Sequence, residues 1–191
     1  EKLDLAEAPA VQDLVALLDA LVSPHHHLSL ARALKSPLFG FSDEALAQIA
    51  RLRLRWTPRA DLDADQPRPP APSWWVVLQR FAALPQAEQI AALARPGQSD
   101  AVAQTDAATL SAAAERLAQY QSWVSTLPPH DALSAIYEHG DVLARFAQAV
   151  PASQRAGVLA QLRDLLAQSL AIDGGRFLTP YGFVRALKAG G

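Results

Sequence analysis

The residues best equipped for chemistry cluster in Ser29-Leu-Ala-Arg-Ala-Leu-Lys-Ser-Pro-Leu-Phe-Gly-Phe-Ser-Asp-Glu-Ala-Leu46. Proline at 37 disfavours αR for Ser36, so a helix carrying Arg32 and Lys35 is predicted to close at about Lys35. Gly40 can take φ > 0 where the chain reverses, and Ser42 can cap a second helix whose first turn holds Asp43 and Glu44. A helix start offers unpaired backbone N–H groups, and cationic side chains stand a few residues away, which is the chemistry of phosphate binding. Arg32, Lys35, Ser36, Gly40, Ser42 and Arg51 are therefore the candidate contacts to a nucleic-acid backbone. They form no base-reading array along a groove-sized helix, so they can position a duplex without reading its sequence.

Other reactive groupings are sparse. The chain has no cysteine, which excludes thiol chemistry and leaves a zinc site only His and carboxylates. His25-His26-His27 invites a metal reading, but neighbours in sequence point in different directions, and a solvated turn is the expectation. His130-Asp131 and Glu138-His139 are acid/base candidates. The first reads better as a helix start after two prolines, the second as a residue at a helix C-terminus beside Gly140. No phosphate-cradling glycine loop ending in Lys-Ser/Thr is present, so the segment is not expected to bind or hydrolyse ATP. No catalytic, cofactor or metal residue is assigned.

The run from the helix at Val11 to about Arg53, with Leu-Ala-Arg-Ala-Leu-Lys-Ser-Pro-Leu-Phe-Gly-Phe-Ser-Asp-Glu-Ala-Leu at its centre, resembles the accessory 2B subdomain of UvrD/Rep-type superfamily 1 DNA helicases. The likeness is to the RecB/AddA branch, of exonuclease V type, in which a leucine helix runs into a Ser-Pro-Leu-Phe-Gly turn. In the wider family the turn carries two glycines around an aliphatic residue and rests on duplex backbone. Gly40 matches one of them, and Ser42 stands at the other. The resemblance implies a 2B insertion within an ATP-dependent DNA helicase or helicase-nuclease of bacterial double-strand-break repair. ATP, Mg and the motor motifs then belong to the parent outside this segment. The implied partners are duplex DNA, bound weakly by the segment alone, the remaining motor domains, and a second subunit of a helicase-nuclease complex. The reading from a different class is a free-standing all-α scaffold that binds a protein through an apolar groove, without DNA or ATP activity.

The elements that must position these residues are helical. Half of the 191 residues are hydrophobic and 19% are charged, alanine and leucine dominate, and an all-α, irregular multi-helix domain with a helix-turn-helix-like pivot at 29–53 is expected. Three stretches divide it: 1–56, with the pivot; 57–73, a proline-rich loop; and 74–191, the helical remainder of the same domain. Nine to eleven helices are expected, with the two termini near one another. Net charge is −2, yet between His25 and Arg59 six basic residues face two acidic ones, a local surplus that suits contact with phosphate at one edge. No apolar run approaches a membrane span and no basic-then-apolar signal opens the chain, so a cytoplasmic location is expected. The absent initial methionine gives the look of an excised segment.

Helical stripes are predicted at Val11 to Val22, Asp43 to about Trp56, Ser73 to Phe81, Pro85 to Ala94, Thr105 or Asp106 to Val124, Asp131 to Glu138, Asp141 to Val150, Pro151 to Leu170 and Pro180 to Leu187. Asp173-Gly174-Gly175 is a turn signal. Leu52 to Trp56 alternates apolar residues with arginine and is too short to settle as a strand.

Overall fold

Asp19 sits on an otherwise apolar helix face, between Leu18 and Ala20, and that helix is the spine of half the molecule. A computed structural model describes residues 4–59, 67–172 and 180–189. It is all-helical: a 3-10 turn at Leu5–Glu7 precedes α1 (Pro9–Val22), α2 (His27–Lys35), α3 (Asp43–Trp56), α4 (Trp74–Ala83), α5 (Gln86–Leu93), α6 (Asp100–Thr126), α7 (Pro129–His139), α8 (Val142–Gln148), α9 (Ala152–Ala171) and α10 (Pro180–Lys188). No strand occurs among the described residues. Leu52 to Trp56 belongs to α3, where Leu52 is buried, so its alternation marks a helix face. No described helix is long and apolar enough to cross a membrane.

The chain folds as two compact units, residues 1–40 with 117–191, and residues 41–116. The breaks fall after Gly40 and within α6, rather than at the proline-rich stretch 57–73. Helices α3 and α4, which flank that stretch in sequence, pack on each other inside the second unit. Arg53 Nε donates to the Pro72 carbonyl and the Arg80 guanidinium lies 4.4 Å over the Trp56 ring, tying the end of α3 to α4 and the residues before it.

In the first unit, Pro9 starts α1 at a position where its missing N–H costs nothing, and Val11, Leu14, Leu17, Leu18 and Leu21 go inward. The helix packs against α2, α9 and α10. The 3-10 turn packs on α1 and α9, and Leu5 and Leu187 line one cavity. Tyr137 of α7 donates its hydroxyl to the Leu162 carbonyl of α9 at 2.7 Å. Burial without a charge partner pushes this phenol well above its ordinary range.

In the second unit, Ile49 and Leu52 of α3 and Val77, Leu78 and Phe81 of α4 are buried with Leu110, Ala113 and Ala114 of α6. Polar ties fix the helices: Gln48 to Asp106 at 2.7 Å, Gln79 to the Ala114 carbonyl at 2.9 Å, and Gln89 to the Phe81 carbonyl at 3.0 Å. Helix α6 begins at Asp100, earlier than the expected Thr105 or Asp106. The Ser99 carbonyl accepts the Val102 and Ala103 N–H groups, and Ala103 and Ala107 are buried, so small residues supply an inward stripe that a search for leucine or valine passes over. Asp173-Gly174-Gly175 lies outside the described residues.

Candidate nucleic-acid interface

The Ser-Pro-Leu-Phe-Gly turn closes as the residue types dictate. Helix α2 ends at Lys35, and Ser36 leaves it with φ −62° and ψ 161°. The Ser36 carbonyl accepts both the Phe39 N–H at 3.1 Å and the Gly40 N–H at 2.7 Å. Gly40 carries φ +67°, a conformation that side chains disfavour, with nothing within 4 Å of where a Cβ would be. Ser42 then accepts the Ala45 N–H at 3.1 Å as the cap of α3.

The six sequence-derived contacts fall on both units. Arg32, Lys35, Ser36 and Gly40 lie on the first, and Ser42 and Arg51 on the second. Ser36 is only 5% exposed, and its hydroxyl donates to the Ala33 carbonyl at 2.6 Å inside the turn. Arg32 is exposed but engaged, its Nε 2.8 Å from Asp13 Oδ1 and its Nη2 3.1 Å from Gln12 Oε1. Burial pushes the Asp13 carboxyl above its ordinary value, and the hydrogen bond and charge of Arg32 only partly offset this. Lys35 is exposed in the last turn of α2. Ser42 and Gly40 are exposed, with their hydrogen bonds made within the backbone they cap.

Arg51 belongs to a larger arrangement. On α3, Glu44, Gln48, Arg51 and Arg55 follow at intervals of four, three and four residues, one face of a helix. Arg51 Nη2 is 2.8 Å from Glu44 Oε1, and Arg95, from the connection between α5 and α6, bonds the same oxygen. Arg55 Nη1 donates to the Ala92 carbonyl at the end of α5, at 3.0 Å. The three arginines line a cavity of about 100 Å³ with Gln48, Leu52 and residues 92–94. In the sequence Arg55 falls within the basic region 25–59, whereas Arg95 lies between two predicted helical stripes, and nothing local ties position 95 to position 44.

A second charged cluster lies in the first unit. Asp19 accepts from Ser29 Oγ at 2.5 Å, lies 3.0 Å from His26 Nδ1, and pairs with Lys188 Nζ at 3.1 Å. Burial alone would raise the Asp19 carboxyl, but the bonds from Ser29, His26 and Lys188 outweigh it and hold the group below its ordinary value. His26 is exposed, as expected of a solvated turn, and its ring is nevertheless tied to a buried carboxylate. The signal in the sequence is the aspartate itself, set in the leucine stripe of α1. Serine and histidine both address the carboxylate and not each other, so the trio lacks the relay order of a hydrolytic triad.

His139 Nδ1 is 3.0 Å from the Tyr120 hydroxyl, and His130 Nδ1 lies 3.6 Å from Asp131 Oδ1 in the first turn of α7. Neither is set beside a nucleophile. Among the described residues no group of three His or carboxylate side chains is arranged to hold a metal ion. No family model matches this chain, and no curated protein matches it.

Proposed function

We propose that this chain is an accessory helical domain of a RecB/AddA-like superfamily 1 DNA helicase, a 2B-type insertion that touches duplex backbone and performs no chemistry of its own. The observation that carries the reading is the turn from Ser36 to Gly40, whose doubly accepting Ser36 carbonyl and positive-φ glycine deliver the chain into the Ser42-capped helix. ATP and Mg are then handled by the motor, and the domain's contribution is to hold the duplex ahead of it.

The test uses the longer protein that this reading requires. Arg32→Ala combined with Lys35→Ala is expected to lower unwinding and affinity for a duplex junction, while ATPase stimulated by single-stranded DNA stays near wild type. Unchanged unwinding and unchanged junction affinity would refute a role for this helix end in DNA contact.

A second reading is favoured by a different observation. An open groove of about 440 Å³ runs past Pro9, Pro37, Phe146, Val150 and Val158, with the bare backbone of Gly157 on its floor. On that reading the domain is a protein-binding scaffold without DNA affinity, and a bulky Gly157→Trp substitution would abolish partner binding while leaving the melting temperature near wild type.

A further inference from the structure

Two arginines from separate elements converge on a single carboxylate oxygen, and a third stands beside them. Arg51 and Arg55 come from one face of α3; Arg95 comes from the connection after α5. Arg51 and Arg95 bond the Glu44 carboxylate, and with Arg55 they line a cavity of about 100 Å³ to which Glu44 contributes no lining, so positive charge is in excess there. Gln48, which also lines it, donates to Asp106 Oδ2 at 2.7 Å, so a second carboxylate stands behind the lining and the three arginines still exceed the two acids. Guanidinium forks suit carboxylate and phosphate oxygens alike, so Glu44 engages Arg51 and Arg95 at the edge of the cavity as a phosphate oxygen would.

We infer that Arg51, Arg55 and Arg95 form a phosphate-binding cleft for a nucleic-acid backbone, with Glu44 as the built-in carboxylate that a phosphate displaces. This rests on the proposed function only for the source of the phosphate. Arg55 is held in place by the Ala92 carbonyl, so the cleft keeps its shape when Glu44 swings away. Glu44 is more than half exposed, which lets it leave into water at little cost. The ligand is the diester backbone and not a base, because the lining offers charge without a flat aromatic face or a base-edge array. Binding here is independent of the Ser36 to Gly40 turn.

The experiment follows the arginine Nε–Hε signals of the whole chain by NMR during titration with pyrophosphate, and measures anisotropy of a labelled blunt duplex at several salt concentrations. Pyrophosphate is expected to shift Arg51 and Arg95. Glu44→Gln should tighten duplex binding about twofold to fivefold, the worth of an exposed ion pair. Glu138→Gln, which removes the same charge from the other unit, should not. Arg51→Ala with Arg95→Ala should weaken duplex binding about tenfold and flatten the salt slope by about 0.9 for each phosphate that is no longer neutralised. Thermal melting of each variant controls for folding.

Pyrophosphate that leaves Arg51 and Arg95 unmoved, in wild type and in Glu44→Gln, overturns the cleft. Duplex binding that depends on Arg32 and Lys35 and ignores Arg51 and Arg95 also overturns it, while sparing the proposed function. A pyrophosphate response with no duplex binding by the chain in any form leaves a phosphate site and overturns nucleic acid as its source.

Discussion

Leu38 is packed against Gly140 so closely that a β-carbon at position 140 would stand 2.5 Å from its Cδ1 and 3.0 Å from the Tyr120 hydroxyl. The pivot turn is thus keyed into the junction between α7 and α8, where Arg145 Nη1 also donates to the Leu38 carbonyl at 3.2 Å. Gly140 itself has φ −81°, and the left-handed residue is Asp141 at φ 49°. The glycine is required for room and not for its dihedral freedom. Gly140→Ala is expected to destabilise the chain by about 1–3 kcal/mol through overpacking, read from urea unfolding. Leu38→Ala has its own cavity cost, but combined with Gly140→Ala the loss should be smaller than the sum of the two, since shortening Leu38 removes the clashing methyl.

The Asp19 cluster gives a pH dependence of definite sign. Its folded-state pKa lies below its ordinary value of 3.8, so its contribution is complete above that value and disappears as pH falls through the lower, folded one. Stability measured by urea titration should therefore decline on the acid side of pH 4, and Asp19→Asn should flatten that limb. Asp19→Ala, which strands Ser29 and Lys188, should cost about 1–3 kcal/mol at neutral pH.

Asp13 runs the other way. Its carboxyl is raised on folding, so its ionised form is a net cost that grows as pH rises through the folded pKa, and its bond to Arg32 does not make up the difference. Asp13→Asn is expected to leave neutral-pH stability unchanged or slightly improved, and to free Arg32 for an external anion. A drop in melting temperature with Asp13→Asn would show that the pair is a net stabiliser.

Removing the Tyr137 hydroxyl as Tyr137→Phe takes one buried hydrogen bond from the seam between α7 and α9, about 0.5–1.5 kcal/mol. Ser42→Ala and Ser73→Ala each delete a helix cap, at about 1 kcal/mol apiece. Because the two serines start adjacent helices of one unit through separate bonds, thermal melting of the double variant should show nearly additive losses.

Helix positions were legible in the sequence wherever proline, serine and glycine punctuate a leucine stripe. Pro9, Pro37, Ser42, Ser73, Pro85 and Pro151 all stand within a residue or so of the helix ends they announce. Less legible were pairings between residues far apart in the chain. The Arg32 and Asp13 pair, the Arg95 and Glu44 pair, and the Lys188 and Asp19 pair join residues that no local spacing relates. Charge counting over 25–59 therefore overstates what is available on the surface, because part of that charge is already answered by carboxylates folded against it. Buried Ser36 carries the same lesson, since a serine before Pro-Leu-Phe-Gly reads equally as a surface donor or as the internal lock of its own turn.

Leu187 and Lys188 sit side by side on α10, and Lys188 pairs with Asp19 of α1, so this helix is fastened to the spine of the first unit by apolar packing and one ionic contact. Protonating Asp19 weakens only the ionic one, so acid loosens the hold of α10 on α1 while the keyed turn at Leu38 keeps its packing.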